Sequence, residues 1–131
     1  MKLLHTSITV KNMDESLKFY TEIFGMKFVR RREIPENNAE IAFIEDPNSN
    51  HQLELTWWKN KDSYAEGDQL DHFAFQVNDV VKEIDRLRKL GVEIAKEPYS
   101  LKGSDHKIAF VKDPNGIWIE LIDSDPGMPA R

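Results

Sequence analysis

Apolar and polar residues alternate in two short segments of the chain, 5–10 and 72–77. In the first segment, Ile8 and Val10 fall on the same side. A period of two is typical of a half-buried β-strand. Both predicted strands begin with a histidine.

A helix is predicted after each of these strands. Asn12 with Glu15 three residues later resembles a capping box, and Gly25 ends the helical period. The second helix is expected to begin near Asn78 or Asp79 and to end at Gly91. The apolar faces are expected to consist of Met13, Leu17, Tyr20 and Phe24 in the first helix and Val80, Ile84, Leu87 and Leu90 in the second.

Short β-rich runs follow each helix and are predicted to form further strands. They cover 27–31, 41–44 and 52–57 in the first half and 93–96, 107–111 and 118–122 in the second. An Asp-Pro-Asn turn precedes the last strand of each half. The expected loops are 32–40 and 60–68, and 125–131 is expected to be a tail.

The chain also repeats itself. Residues 41–48, Ile-Ala-Phe-Ile-Glu-Asp-Pro-Asn, return at 108–115 as Ile-Ala-Phe-Val-Lys-Asp-Pro-Asn, an offset of 67 (108 less 41). A unit of about 60 residues is marginal by itself, whereas two such units together can be stable. We therefore predict a single domain, 1–131, built from two modules at about 1–60 and 69–124.

Composition narrows the classes of function. The chain has 131 residues, 23 acidic and 18 basic, so its net charge is -5, and it has no cysteine. Disulfides are excluded, and the acidic balance gives no reason to expect a nucleic-acid partner. No apolar stretch approaches the roughly 20 residues of a membrane span, so we expect no membrane partner and a cytoplasmic protein.

Two histidines and two glutamates occupy matching positions in the two modules: His5 matches His72, and Glu54 matches Glu120. Matching positions of a duplicated unit are expected to meet near a local twofold axis. Two imidazoles and two carboxylates suit a divalent ion such as nickel, cobalt or zinc. The alternative is that each histidine merely starts a strand and each glutamate faces solvent.

Other candidate residues have no such counterpart. His51 lies in a polar turn and His106 follows a loop, and neither is repeated in the other half. Trp57 and Trp58 are adjacent in a predicted strand, so they must face opposite ways, one toward the core and one toward a cavity or rim. No phosphate-binding loop, nucleophile elbow or cysteine-based zinc motif is present.

Taken together, these motifs resemble the glyoxalase I (lactoylglutathione lyase) family of the vicinal oxygen chelate superfamily. The similarity rests on Leu4-His5-Thr6, Ser16–Thr21, Gly25-Met26-Lys27, Leu53–Thr56, Asp71–Ala74, Phe110–Gly116 and Ile119-Glu120-Leu121. It implies an α+β fold of two βαβββ modules whose mixed sheets curve into a half-barrel. It also implies a homodimer, in which His5 and Glu54 of one chain meet His72 and Glu120 of the other.

The resemblance further implies an activity. Family members isomerise the hemithioacetal of methylglyoxal and a thiol to a 2-hydroxyacyl thioester through a metal-bound enediolate. Metal ligands are then His5, Glu54, His72 and Glu120, with Glu120 the chief general base and Glu54 its counterpart. The short chain resembles members that use nickel or cobalt, whereas zinc is typical of longer ones.

The sequence departs from the family where glutathione is bound. Thr9 and Trp58 stand at positions where family members carry an arginine and an asparagine for the tripeptide, whereas Lys102 matches a family lysine. The thiol is therefore expected to be glutathione or another thiol. Two alternatives remain: an enzyme resembling acyl-CoA epimerases, whose second ligand is usually glutamine rather than glutamate, and a non-catalytic protein of this fold that binds a small molecule.

Overall fold

The chain divides into two units, Met1–Glu66 and Gly67–Arg131. A computed structural model describes residues 1–61, 63–65, 67, 69–100 and 102–124. The predicted tail, 125–131, lies outside the described residues, as do positions 62, 66 and 68 of the predicted loop between the modules. No helix among the described residues has the length and apolar character that a bilayer crossing requires.

The first unit follows the order strand, helix and three strands. Its elements are β1 Thr6–Thr9, α1 Met13–Lys18, a π-helical turn Phe19–Ile23, β2 Lys27–Ile34, a 3-10 turn Pro35–Asn37, β3 Ala39–Glu45 and β4 Gln52–Trp58. The sheet has the strand order β1-β4-β3-β2. Strand β1 pairs in parallel with β4, and the other pairs are antiparallel, so the sheet is mixed.

The second unit repeats this topology. Its elements are β5 Phe73–Gln76, α2 Val80–Lys89, β6 Glu93–Ser100, β7 Lys107–Lys112 and β8 Trp118–Ile122. The order is β5-β8-β7-β6, with β5 parallel to β8. The prediction of an α+β fold with two βαβββ modules and mixed sheets is confirmed, and neither sheet is closed.

The predicted helix boundaries have the expected local chemistry. The Asn12 side chain accepts a hydrogen bond of 2.9 Å from the backbone N–H of Glu15, and Asp79 accepts one of 3.1 Å from that of Lys82. These bonds satisfy backbone donors that a helix start leaves unpaired. After the second helix, Gly91 adopts a φ of 83°, which favours glycine.

The first helix changes its winding after Lys18, which the sequence pattern did not predict. The backbone N–H of Phe24 donates to the carbonyl of Phe19, five residues earlier, at 3.2 Å. The neighbouring residues Phe19 and Tyr20 in this wider turn are both buried, with ring centroids 5.1 Å apart.

Two sequence predictions are wrong. Leu90, expected on the apolar face of α2, is 53% exposed, because the helix ends at Lys89 and the chain turns there. Segment 32–40, expected to be a loop, is largely a hairpin, since β2 continues to Ile34 and β3 begins at Ala39. The left-handed backbone of Asn38 makes this tight connection possible.

One face of each sheet is covered by the helix of the same unit, and alternate strand side chains are buried there. In the first unit the fully buried set includes Val10, Met13, Tyr20, Ala42, Ile44 and Leu55, and in the second it includes Val80, Ile84, Leu87, Val111, Ile119 and Leu121. Strand alternation then directs the intervening residues to the opposite face. That second face of each sheet carries the candidate site residues.

Truncation of the α2 core tests this packing. Leu87 is fully buried, so Leu87→Ala should lower the free energy of unfolding by about 2–5 kcal/mol through lost burial and a cavity. Leu90→Ala is the matched control on the same helix end and should cost less than about 0.5 kcal/mol. Urea unfolding measures both. Equal losses in the two variants would show that the helix face is assigned incorrectly.

Candidate metal centre

In the first unit, strand register places His5 and Glu54 on one face of the sheet. Glu54 pairs with Ser7 of β1 and with Phe43 of β3. His5 precedes Ser7 by two residues, just before the strand begins, so both share the face of Glu54. The His5 ring meets Phe43 edge to face, with centroids 5.0 Å apart.

In the second unit, the matching residues have the same arrangement. Glu120 pairs with Ala74 of β5 and with Phe110 of β7. His72 meets the Phe110 ring edge to face at 5.6 Å between centroids. Its Nε2 atom lies 3.6 Å from Oε1 of Glu120, whose side chain is only 16% exposed.

The Asp71 carboxylate contacts the His72 ring. Its Oδ1 lies 2.6 Å from Nδ1 of His72, which leaves Nε2 on the side of Glu120. Carboxylates commonly orient histidine ligands in this way. The 3.6 Å separation from Glu120 is long for a hydrogen bond. This separation is shorter than the combined length of two metal–ligand bonds of about 2.1 Å each, so one divalent ion could contact both atoms.

Each unit thus holds one imidazole and one carboxylate on the same face of its own sheet. Across residues 1–61, 63–65, 67, 69–100 and 102–124, no three or more such side chains form a group that could hold a metal. Ions of this type usually take at least four ligands. A divalent ion at either pair would therefore need further donors.

The other predicted site residues differ in their placement. Thr9 pairs with Thr56 and faces the same side as Glu54. Trp58, four residues beyond Glu54, also shares that side, is 38% exposed and lines a hollow of about 330 Å³. Lys102 is exposed, beside residue 101, which lies outside the described residues.

The residues that sequence analysis set aside lie elsewhere. His51 is exposed in the turn before β4. His106 is exposed and has its own partner, with Nδ1 3.1 Å from Oδ1 of Asp123. Trp57 pairs with Glu40 on the face opposite Trp58, as predicted, and is half-buried.

Sequence analysis missed three residues near the candidate ligands. The first is Asp71, which has no counterpart in the first module because Leu4 precedes His5. The others are Arg30 and Lys96, which pair with Phe43 and Phe110 respectively. An offset of 66 (96 less 30), the same as that between the two glutamates, could have revealed this basic pair.

Comparison with known proteins identifies the family. Residues 2–121 match the Glyoxalase/Bleomycin resistance protein/Dioxygenase superfamily, and the chain belongs to that superfamily. The resemblance recognised from the sequence is confirmed.

Individual relatives agree with this assignment. The chain is 40% identical to lactoylglutathione lyase GLX1 of Arabidopsis thaliana over 127 residues, covering 95% of this chain and 45% of that protein. It is 36% identical to the lactoylglutathione lyase of Haemophilus influenzae, covering 95% of this chain and 93% of that one. The chain thus spans less than half of the plant relative and nearly all of the bacterial one.

Solved structures show the same fold. Glyoxalase I from Zea mays superposes with a TM-score of 0.83 at 37% identity, covering 94% of this chain and 44% of that one. The trypanothione-dependent glyoxalase I of Leishmania major gives a TM-score of 0.79 at 37% identity, covering 94% of this chain and 86% of that one.

Removal of the Asp71 carboxylate tests whether His72 is a metal ligand. Asp71→Asn should weaken divalent metal binding by about 10–100-fold, since a neutral amide oxygen replaces the charged acceptor beside the ring. Chelator competition measures the affinity. Asp123→Asn removes the equivalent carboxylate beside His106 and should leave metal affinity unchanged. A similar loss in both variants would contradict the assignment of His72.

Proposed function

We propose that this chain is a metal-dependent lyase of the glyoxalase I type that works as a cytoplasmic homodimer. Its substrate is the hemithioacetal of methylglyoxal and a thiol, and its product is a 2-hydroxyacyl thioester. The observation that carries the proposal is the His72–Glu120 pair, 3.6 Å apart, with a matching His5 and Glu54 in a chain similar to lactoylglutathione lyases.

The proposed metal ligands are His5, Glu54, His72 and Glu120. When bound, a divalent ion supplies Lewis-acid stabilisation of negative charge on the two neighbouring substrate oxygens. Imidazole and carboxylate together suit divalent ions of intermediate hardness, which include nickel, cobalt and zinc. The family resemblance favours nickel or cobalt, with zinc the alternative.

Glu120 is the proposed general base. Its carboxylate takes a proton from one substrate carbon and returns it to the neighbouring carbon, which leaves the atoms and charge of the substrate unchanged overall. A carboxylate is a weak base for a C–H bond, so the reaction depends on a site that excludes water. Phe110 and Trp118, with ring centroids 5.6 Å apart, share the face of Glu120 and support that exclusion.

Glu54 is the proposed counterpart of Glu120 for the other face of the substrate. Both pair across strands with an aromatic residue, Phe43 or Phe110. The two differ in that an aspartate, Asp71, orients only the histidine beside Glu120. This difference favours Glu120 as the principal base.

The thiol that forms the hemithioacetal is proposed to be glutathione or a related thiol. Relatives of this chain include lactoylglutathione lyases and a trypanothione-dependent glyoxalase I, so the thiol differs among similar proteins. Thr9 and Trp58 line the same sheet face as Glu54 and are proposed to contact the thiol, together with Lys102.

Replacement of the proposed base tests the chemistry. With bound nickel, the protein should convert methylglyoxal and at least one thiol of a panel to a thioester, followed by absorbance. Glu120→Gln should lower kcat by about 10²–10⁴-fold because it removes the proton acceptor. Glu22→Gln, an exposed residue beyond α1, should not change it. Absence of thioester with every thiol would refute the proposed activity.

Mixing two inactive variants tests the shared site. One chain carries His5→Gln and Glu54→Gln, and the other carries His72→Gln and Glu120→Gln. If each site combines ligands from two chains, half of the re-formed dimers have one complete site of two, so about a quarter of wild-type activity should return. No recovery, in a mixture shown to exchange subunits, would mean that the four ligands do not come from two chains.

A further inference from the structure

Two arginines lie on the candidate site face of the first sheet. In β2, Arg30 pairs with Phe43, which in turn pairs with Glu54. Arg32 pairs with Ile41, which pairs with Thr56. Because directly paired residues project to the same side of a sheet, both arginines share the face of Glu54.

Arg30 is the nearer of the two to the candidate ligands. Its guanidinium carbon lies 4.9 Å from the centroid of the Phe43 ring. The same ring meets His5 at 5.0 Å between centroids. A single aromatic side chain therefore separates the guanidinium from the first His–Glu pair.

No acidic neighbour in the described part of the chain neutralises the charge of these two arginines. Among the described residues, neither Arg30 nor Arg32 has an acidic group within 4 Å. Arg31 between them faces the other side, and ion pairs with Glu40 and Asp14 raise its pKa. Arg31 is thus held in the fold, whereas the donors of its neighbours remain available to an anion.

Stacking on Phe43 orients the Arg30 guanidinium for binding an anion. A guanidinium over an aromatic face keeps its N–H groups in the plane of a rigid fork that matches the two oxygens of a carboxylate. The second unit repeats the basic position, since Lys96 pairs with Phe110, the neighbour of Glu120. In both units the pairing register shifts just before the basic residue, between Phe28 and Arg30 and between Ile94 and Lys96.

We infer that Arg30, supported by Arg32, binds a carboxylate of the thiol part of the substrate and so selects thiols that carry negative charge. This inference rests on the proposed function. A carboxylate that leaves water to enter this face of the sheet is costly unless it is paired with a cation. A guanidinium on the same cross-strand row as Glu54 supplies that partner and fixes the position of the thiol.

Paired ligands that differ only in charge test the inference. S-Methylglutathione has two free carboxylates, whereas its dimethyl ester has none, and calorimetry with the metal-loaded protein measures both affinities. The wild-type protein should bind the free acid about tenfold more tightly than the ester, the size expected of a charge-assisted hydrogen bond. Arg30→Gln should reduce this preference to less than about threefold, and Arg30→Gln with Arg32→Gln should abolish it.

Two further variants separate binding from structure. Lys18→Gln removes the same charge from an exposed position of α1 and should keep the wild-type preference. Arg30→Lys keeps the charge and should keep part of the preference for the free acid. The inference is overturned if the wild-type protein binds both ligands equally or not at all, if Arg30→Gln keeps the preference, or if Arg30→Lys loses it as completely as Arg30→Gln.

Failure of this inference is distinguishable from failure of the proposed function. Isomerisation of the hemithioacetal of a neutral thiol, 2-mercaptoethanol, does not require an anion-binding arginine. Turnover with that thiol but no charge preference would remove only the role of Arg30. No turnover with any thiol would remove the proposed function itself.

Discussion

Parallel pairing between the first and last strands of each unit is the constraint on which the candidate site depends. It places β1 beside β4 and β5 beside β8, although about 45 residues separate the paired strands in sequence. A histidine just before one strand and a glutamate inside the other thereby reach the same face of the sheet. The antiparallel strands and the helix then bury the opposite face and fix the register of this pair.

That register also explains why a carboxylate is tolerated within an otherwise apolar strand. Leu121 and Ile119 on either side of Glu120 are buried against the helix-packed face, while Glu120 itself is 16% exposed. Burying a carboxylate is costly unless it has a partner. His72, held by Asp71, supplies an imidazole at the right place, and a divalent ion would supply the charge.

Much of this organisation was predictable from the sequence because it depends on local chemistry and on repetition. The caps at Asn12 and Asp79, the strand alternation and the four repeated ligand candidates needed no knowledge of distant contacts. The π-helical turn at Phe19–Ile23 was not predicted, because the apolar period of this segment is also compatible with a regular helix. The exposure of Leu90 likewise depends on where the chain turns rather than on helical period.

The missed site residues have a similar explanation. Arg30 lies in an exposed strand with two further arginines, and sequence alone cannot tell which of three consecutive cations is paired in the fold. The pairing register of the strand distinguishes these arginines, since Arg31 faces Glu40 and Asp14 while Arg30 stacks on Phe43. Asp71 was overlooked because it breaks the repeat, since Leu4 stands at the matching position of the first module.

The most direct measurement is anomalous diffraction from crystals of the nickel-loaded protein. One strong peak should lie within bonding distance of His72 Nε2 and Glu120 Oε1, with His5 and Glu54 of a second chain completing the ligand set. A peak bound by other side chains, or no metal at this pair of residues, would contradict the central claim that the duplicated histidines and glutamates hold one divalent ion.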